Sequence, residues 1–206
     1  MDASTGTGMV LRTGTAADAP AAAALHAAGI TEGFLTFLGP TFLRRLYRRV
    51  AYSPESFLLV VVDDAATPVG FLAGSTNVTA LYRSFLWHDG LVAAVASSGR
   101  LLRSWRRAIE TLRHGTAGDA VGAELLAVAV SASARGRGAG TLLVEGFLSE
   151  MAQRGQEAAH VVVAASNESA VALYRRAGFD IVERFALHAG TESLLMQWAA
   201  GPGASA

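Results

Sequence analysis

A chain of 206 residues, 51% of them apolar, is long enough for one domain with a full core, whereas two independent domains would each be small. Lys and Arg number 17 and Asp and Glu 17, so the net charge is zero and the basic excess of a nucleic-acid binder is absent. No cysteine occurs, which excludes disulfides, thiolate metal sites and a cysteine nucleophile. The first residues, MDASTGTG, lack a basic n-region and an apolar h-region, and no apolar run approaches the ~18 residues that span a bilayer. A cytoplasmic protein with no membrane partner is therefore expected.

Residues 1–8 and 199–206 are small, polar and glycine-containing, and read as flexible ends around a single domain, 9–198. Met9 to Arg12 is a short β-compatible run. Thr15 and Asp18 before an alanine-rich stretch predict a helix that runs to Ala28 and stops at Gly29. Phe34, Leu35, Phe37 and Leu38, ahead of Gly39-Pro40, form an apolar loop or short helix. Phe42, Leu43, Leu46, Tyr47 and Val50 then keep helical spacing with arginines opposite, which predicts a second helix. Ser56 to Val62 and Val69 to Ser75 read as the two strands of a hairpin turned by Asp63 to Pro68. Gly70, Ala73 and Gly74 permit close approach of another backbone.

Thr79 to Gly118 adds about forty residues, too many for a plain connection, and is read as a helical insertion. Within it Leu101, Leu102, Trp105, Ile109 and Leu112 recur at helical spacing, with Arg100, Arg103, Arg106, Arg107 and Arg113 on the polar side. One reading is a solvated basic face packed on the domain by its apolar stripe; the other is a basic wall that attracts an anion.

Leu125 to Val130 is a short apolar run of the kind that forms a buried strand. Arg135 to Gly140 alternates glycine with small or basic residues, and Leu142, Leu143, Gly146, Phe147, Glu150 and Met151 follow helical spacing. Strand, glycine-rich loop and helix N-terminus form an anion site, because the first amides of a helix have no intrahelical acceptor and glycines let a phosphate approach them. The spacing fits neither a P-loop nor the dinucleotide fingerprint. Ala158 to Ala165 is the next strand, Ser166 the expected N-cap of a helix over Glu168 to Ala177, and Asp180 to Leu187 and Ser193 to Trp198 the last strands.

Arg135-x-x-Gly138-x-Gly140 after a strand resembles the acetyl-CoA-binding signature R/Q-x-x-G-x-G/A of the GNAT N-acetyltransferases. The stretch SNESAVALYRRAGF is similar to the second signature of that family, N-x-x-A-x-x-L-Y-x-x-x-G-F, through Asn167, Ala170, Leu173, Tyr174, Gly178 and Phe179. The motifs cover Glu124 to Trp198, and the N-terminal part follows the family in element order. The resemblance implies an α/β GNAT fold, a mixed central sheet of about six or seven strands flanked by helices, with the helical insertion before the central cofactor-binding strand.

It also implies a chemistry. Acetyl-CoA would be the cofactor, with no metal, its pyrophosphate on Arg135 and the amides of Arg137, Gly138, Ala139, Gly140 and Thr141. Its pantetheine would lie along Val128, Ala129 and Val130 and on Asn167, whose alternative role is a helix cap. The Val130 amide would face the oxyanion, and Tyr174 would be the general acid that protonates the thiolate.

For the base, Glu124 is the first candidate, since it stands six residues before Val130, the spacing at which the histone acetyltransferase branch of the family carries its catalytic glutamate, and period two places Glu124, Leu126, Val128 and Val130 on one face; His188 is the second, and water the third. His26, His88, His114 and His160 are isolated and show no metal-ligand spacing. The acceptor is expected to be a small anionic amine such as an amino sugar, met by Phe34, Leu35, Arg103, Arg106, Arg107 and His188. A protein or peptide amine is the alternative, and a non-catalytic acyl-CoA sensor the alternative of another class. The apolar content is compatible with a homodimer.

Overall fold

The computed structural model describes residues 4–5, 8–30, 39–88, 122–188 and 191–201. Their elements are β1 (Ser4–Thr5), β2 (Met9–Thr13), α1 (Ala19–Gly29), α2 (Gly39–Tyr52), β3 (Ser56–Asp63), β4 (Pro68–Ser75), α3 (Val78–His88), β5 (Ala123–Val130), α4 (Ala139–Gln153), β6 (Ala158–Ala164), α5 (Glu168–Arg176), β7 (Asp180–His188) and β8 (Thr191–Ala199). The strands form one mixed sheet in the order β1-β2-β3-β4-β5-β6-β8-β7, seven of full length plus the two-residue β1. Residues 4 and 5, in the stretch expected to be flexible, pair with Met9 and Val10 of β2. The last two strands meet closer than expected, His188 pairing with Thr191.

Phe57-Leu-Leu-Val-Val-Val62 is apolar at every position because β3 is covered on both faces. Leu58 and Val60 join a cluster with Ala22, Leu43, Tyr47, Phe71 and Ala129 beneath α1 and α2. Phe57, Leu59 and Val61 join one with Leu143, Phe147, Met151 and Val161 beneath α4. Full burial of each such side chain contributes about 1.5–3 kcal/mol, so neither layer is dispensable. The helix order in sequence thus sets the two faces, α1 and α2 on one side and α4 and α5 on the other.

The first turn is closed by Asp18, whose carboxylate accepts two bonds from Arg12 of β2, at 2.7 and 2.9 Å, and one from the Thr15 amide at 2.8 Å. The Arg12 guanidinium holds this carboxyl down at about 2. In α1, His26 is 2% exposed, with Nδ1 2.5 Å from the Tyr47 hydroxyl and a buried Nε2 that has no partner among the described residues.

Burial lowers the His26 pKa to about 4, so it is neutral in the folded protein at pH 7. Below about 6.5 the unfolded chain gains a proton here that the folded one refuses until about 4, so stability falls as pH drops through this window. The expected loss is on the order of 2 kcal/mol once solvent screening is allowed for. Urea unfolding at pH 7 and at about 4.5 measures it, and His26→Gln is expected to flatten that slope. Loss through Asp18 comes lower, between 3.8 and about 2.

Among the described residues no helix is long and apolar enough to cross a membrane. The expected insertion opens as α3, while Arg100, Arg103, Arg106, Arg107 and Arg113 lie outside the described residues, as do Phe34 and Leu35.

Candidate active site

β5 and β6 are parallel neighbours in the sheet, and among the described residues they pair only through Ala123 with Ala159 and Glu124 with His160. Beyond that point β5 stays on β4 as far as Val130, and β6 stays on β8 as far as Ala164. The two strands therefore diverge into a wedge. Its cause is a bulge: Ala73 pairs with Ala127 but Gly74 with Leu125, so Leu126 is an extra residue that bends β5 and sharpens its twist.

The bulge corrects the expected face assignment. Ala123 and Leu125 point under α4, Leu126, Ala127 and Ala129 under α1 and α2, and Val128 and Val130 again under α4. Glu124, between Ala123 and Leu125, thus lies on the α1–α2 face, opposite Val128 and Val130. Period two fails across the extra residue. Ser131 donates its amide to Val69 O at 2.8 Å, so strand alternation turns the backbone groups of Val130 and Val128 away from β4 and into the wedge.

At the wide end of the wedge the chain passes through a short 3-10 turn, Ala132–Ala134, and then Gly136 at φ 72° and Gly138 at φ 89°. Among the described residues nothing lies within 4 Å of a Cβ built on either glycine, so it is their left-handed backbone that requires both. Gly140 differs, since its Cβ would meet Leu173 Cδ2 at 3.2 Å where α4 passes α5. The first bond of α4 runs from Leu142 N to Gly138 O at 3.0 Å, so the amides of Ala139, Gly140 and Thr141 precede it and point out of the helix end. Arg135 is exposed and donates Nε to Val130 O at 3.4 Å, and Arg137 is exposed beside it.

Tyr174, in α5, is 3% exposed and belongs to the cluster against which Val128 and Val130 pack. Its ring sits 5.7 Å from that of Phe179. Burial pushes its pKa well above the ordinary phenol value, so it stays protonated. Asn167, not Ser166, caps α5: its Oδ1 accepts from Ala170 N at 3.2 Å and from Ser169 Oγ at 3.0 Å. The two candidates are neighbours in sequence and both cap well; the strand end at Ala164 and the turn after it decide between them.

His160 is not isolated. Its Nε2 lies 3.5 Å from Glu124 Oε2. Sequence reasoning missed this contact because the two residues meet only through the register of β5 on β6, with all of α4 between them in the chain. His188 closes β7, and its side chain lies outside the described residues. Among the described residues no three His, Cys, Asp or Glu side chains gather as a metal site requires.

The sequence matches the Acetyltransferase (GNAT) family over residues 28–179. A comparison with curated proteins finds no match. Among solved structures, a GCN5-related N-acetyltransferase from Kribbella flavida is 19% identical, with 95% of this chain and 99% of that one aligned and a TM-score of 0.65. A phosphinothricin acetyltransferase from Sinorhizobium meliloti, solved with acetyl-CoA, is 18% identical over 95% and 90%, at 0.63. The ribosomal-protein-S18-alanine N-acetyltransferase from Escherichia coli is 15% identical over 95% and 97%, at 0.59. At such identities the likeness speaks for the fold. The family match spans the strand, glycine loop and helix that build the wedge, and with it the chain belongs to the GNAT acetyltransferases, a family of acyltransferase enzymes.

Proposed function

We propose that the protein transfers an acetyl group directly from acetyl-CoA to the primary amine of a small anionic metabolite such as an amino sugar. The observation that carries this reading is the wedge between β5 and β6, with an anion-binding loop at its wide end and proton-handling groups on its two faces. Amides 139–141, with Arg135 and Arg137, suit the pyrophosphate, and Thr141 adds an exposed hydroxyl. The backbone of Val128 and Val130 suits an extended amide-bearing arm, which would pair with it as an added strand. Bound acetyl-CoA supplies the activated acetyl group.

Tyr174 lies on the α4–α5 face and Glu124 on the α1–α2 face, so donor and acceptor protons are handled on opposite sides of the sheet. A tyrosine kept protonated by burial suits the departing thiolate, and the Val130 amide suits the developing oxyanion. Removal of a proton from the acceptor ammonium is assigned to the Glu124 side. With the acceptor approaching from the face opposite the acid, a single direct transfer needs no acetylated side chain.

The anionic acceptor is favoured by the arginines of the insertion. CoA release with a panel of amines tests it: an amino sugar phosphate, a polyamine, an uncharged alkylamine and a peptide with a free N-terminus. The amino sugar phosphate is expected to give the highest kcat/KM, and Arg103→Ala with Arg106→Ala and Arg107→Ala to raise its KM about tenfold, as loss of charge-assisted contacts does. Preference for the peptide, or an unchanged KM, would overturn the acceptor class. Acetyl-CoA binding without turnover of any amine would favour a sensor.

A further inference from the structure

His160 stands opposite Glu124 in the last parallel pair before β5 and β6 part. Both side chains are largely withdrawn from solvent, His160 14% and Glu124 24% exposed, with Nε2 and Oε2 3.5 Å apart. Ala159, Val161 and Val163 point under α4, so strand alternation puts His160 on the α1–α2 face, the same as Glu124. Register extends this into a polar row across five strands: Ser75, Glu124, His160, Gln197 and Asp180.

Besides His160 itself, Glu124 and Asp180 are the titratable groups of that row. Glu124 adjoins His160, while Asp180 is two strands away and exposed. Ser75 gives its hydroxyl proton to Glu55 O at 2.8 Å. From α1, the titratable side chain turned to this face is His26, held by Tyr47.

Granted acetyl transfer to an amine, we infer that His160 receives the acceptor's proton, at Nδ1, and that Glu124 is the positioning residue that orients it. Facing an ionised carboxylate, a neutral imidazole carries its proton on Nε2, which leaves a lone pair on Nδ1. In the step, the N–H bond of the acceptor ammonium breaks, Nδ1–H forms, and the electron pair stays on the amine nitrogen, now neutral and nucleophilic. The imidazolium is stabilised by the Glu124 carboxylate and returns its proton to solvent after the product leaves. Imidazole is the side chain most often used to take up a proton in such a step, which favours the ring over the carboxylate as the landing site.

The test is the pH profile of kcat/KM for the wild type, His160→Gln and Glu124→Gln, with the best amine of the panel above, alongside an NMR titration of the His160 ring. His160→Gln is expected to abolish the acidic limb and lower kcat/KM about 100-fold or more. Glu124→Gln is expected to keep that limb but move it to lower pH, with about a tenfold loss. Both variants should bind acetyl-CoA as the wild type does. An acidic limb that survives in His160→Gln and vanishes in Glu124→Gln returns the base to Glu124 and overturns the inference. In the NMR titration the neutral ring is expected to carry its proton on Nε2 and its midpoint to fall in Glu124→Gln; a proton on Nδ1 or an unmoved midpoint overturns the pair. Absence of turnover with every amine would count against acetyl transfer itself, whereas the ring titration decides the pair without turnover.

Discussion

Tyr174→Phe is expected to lower kcat/KM for acetyl transfer by about 100-fold or more, the usual weight of a positioned general acid. The phenol sits in the cluster under α4 and α5, 3% exposed, on the face of the sheet to which Val128 and Val130 point. Burial raises its pKa by penalising the phenolate, so the proton is retained until a strong base forms beside it. A thiolate released into the same apolar wedge is itself unsolvated, which raises its basicity toward that of the phenolate and lets the proton pass. Phenylalanine keeps the ring, its contact with Phe179 and the volume of the site, so stability and acetyl-CoA affinity should change little. Steady-state kinetics with an acetyl-CoA titration separates the terms. A variant within about threefold of the wild type would mean that solvent or another group protonates the thiolate.

The second large effect is expected at the glycine loop. Gly136 and Gly138 hold φ of 72° and 89°, and among the described residues nothing lies within 4 Å of a Cβ built on either. Alanine at either position meets no neighbour among the described residues, so the penalty is backbone strain, about 1–2 kcal/mol per residue. The double variant would populate the anion-binding form of the loop less by the sum, and acetyl-CoA affinity should fall roughly 30- to 1,000-fold. Isothermal titration measures this. An unchanged affinity would show that the loop is not the grip on the pyrophosphate. Gly140→Ala acts by another route, crowding Leu173 at 3.2 Å, and is expected to cost thermal stability as well as affinity.

Much of this architecture is legible in the residues themselves. The apolar run of β3, the helical spacing of Leu43, Leu46, Tyr47 and Val50, and the sequence of strand, glycines and helix from Ala123 to Gln153 announce their elements, because burial and left-handed turns leave compositional marks. The bulge at Leu126 leaves none. Leu125, Leu126 and Ala127 are all apolar, no glycine marks the extra residue, and only pairing with Ala73 and Gly74 reveals it. Extending period two through it put Glu124 on the wrong face.

The Glu124–His160 contact is hidden for a related reason, since it depends on how two strands far apart in the chain align. Capping of α5 shows the limit of local rules, because Ser166 and Asn167 are both good caps and the geometry of Ala170 N selects the second. His26 reads as an unremarkable helix residue, and its depressed pKa arises from the layer of α2 and β4 packed around Tyr47.

The most direct test of direct acetyl transfer across the wedge is a single turnover with isotope-labelled acetyl-CoA and the best amine, followed by mass spectrometry of both protein and product. The label is expected on the amine, with free CoA appearing at the same rate and no acetylated protein at any time. Label accumulating on a side chain before it reaches the amine, or remaining on CoA while the complex persists, would contradict the account.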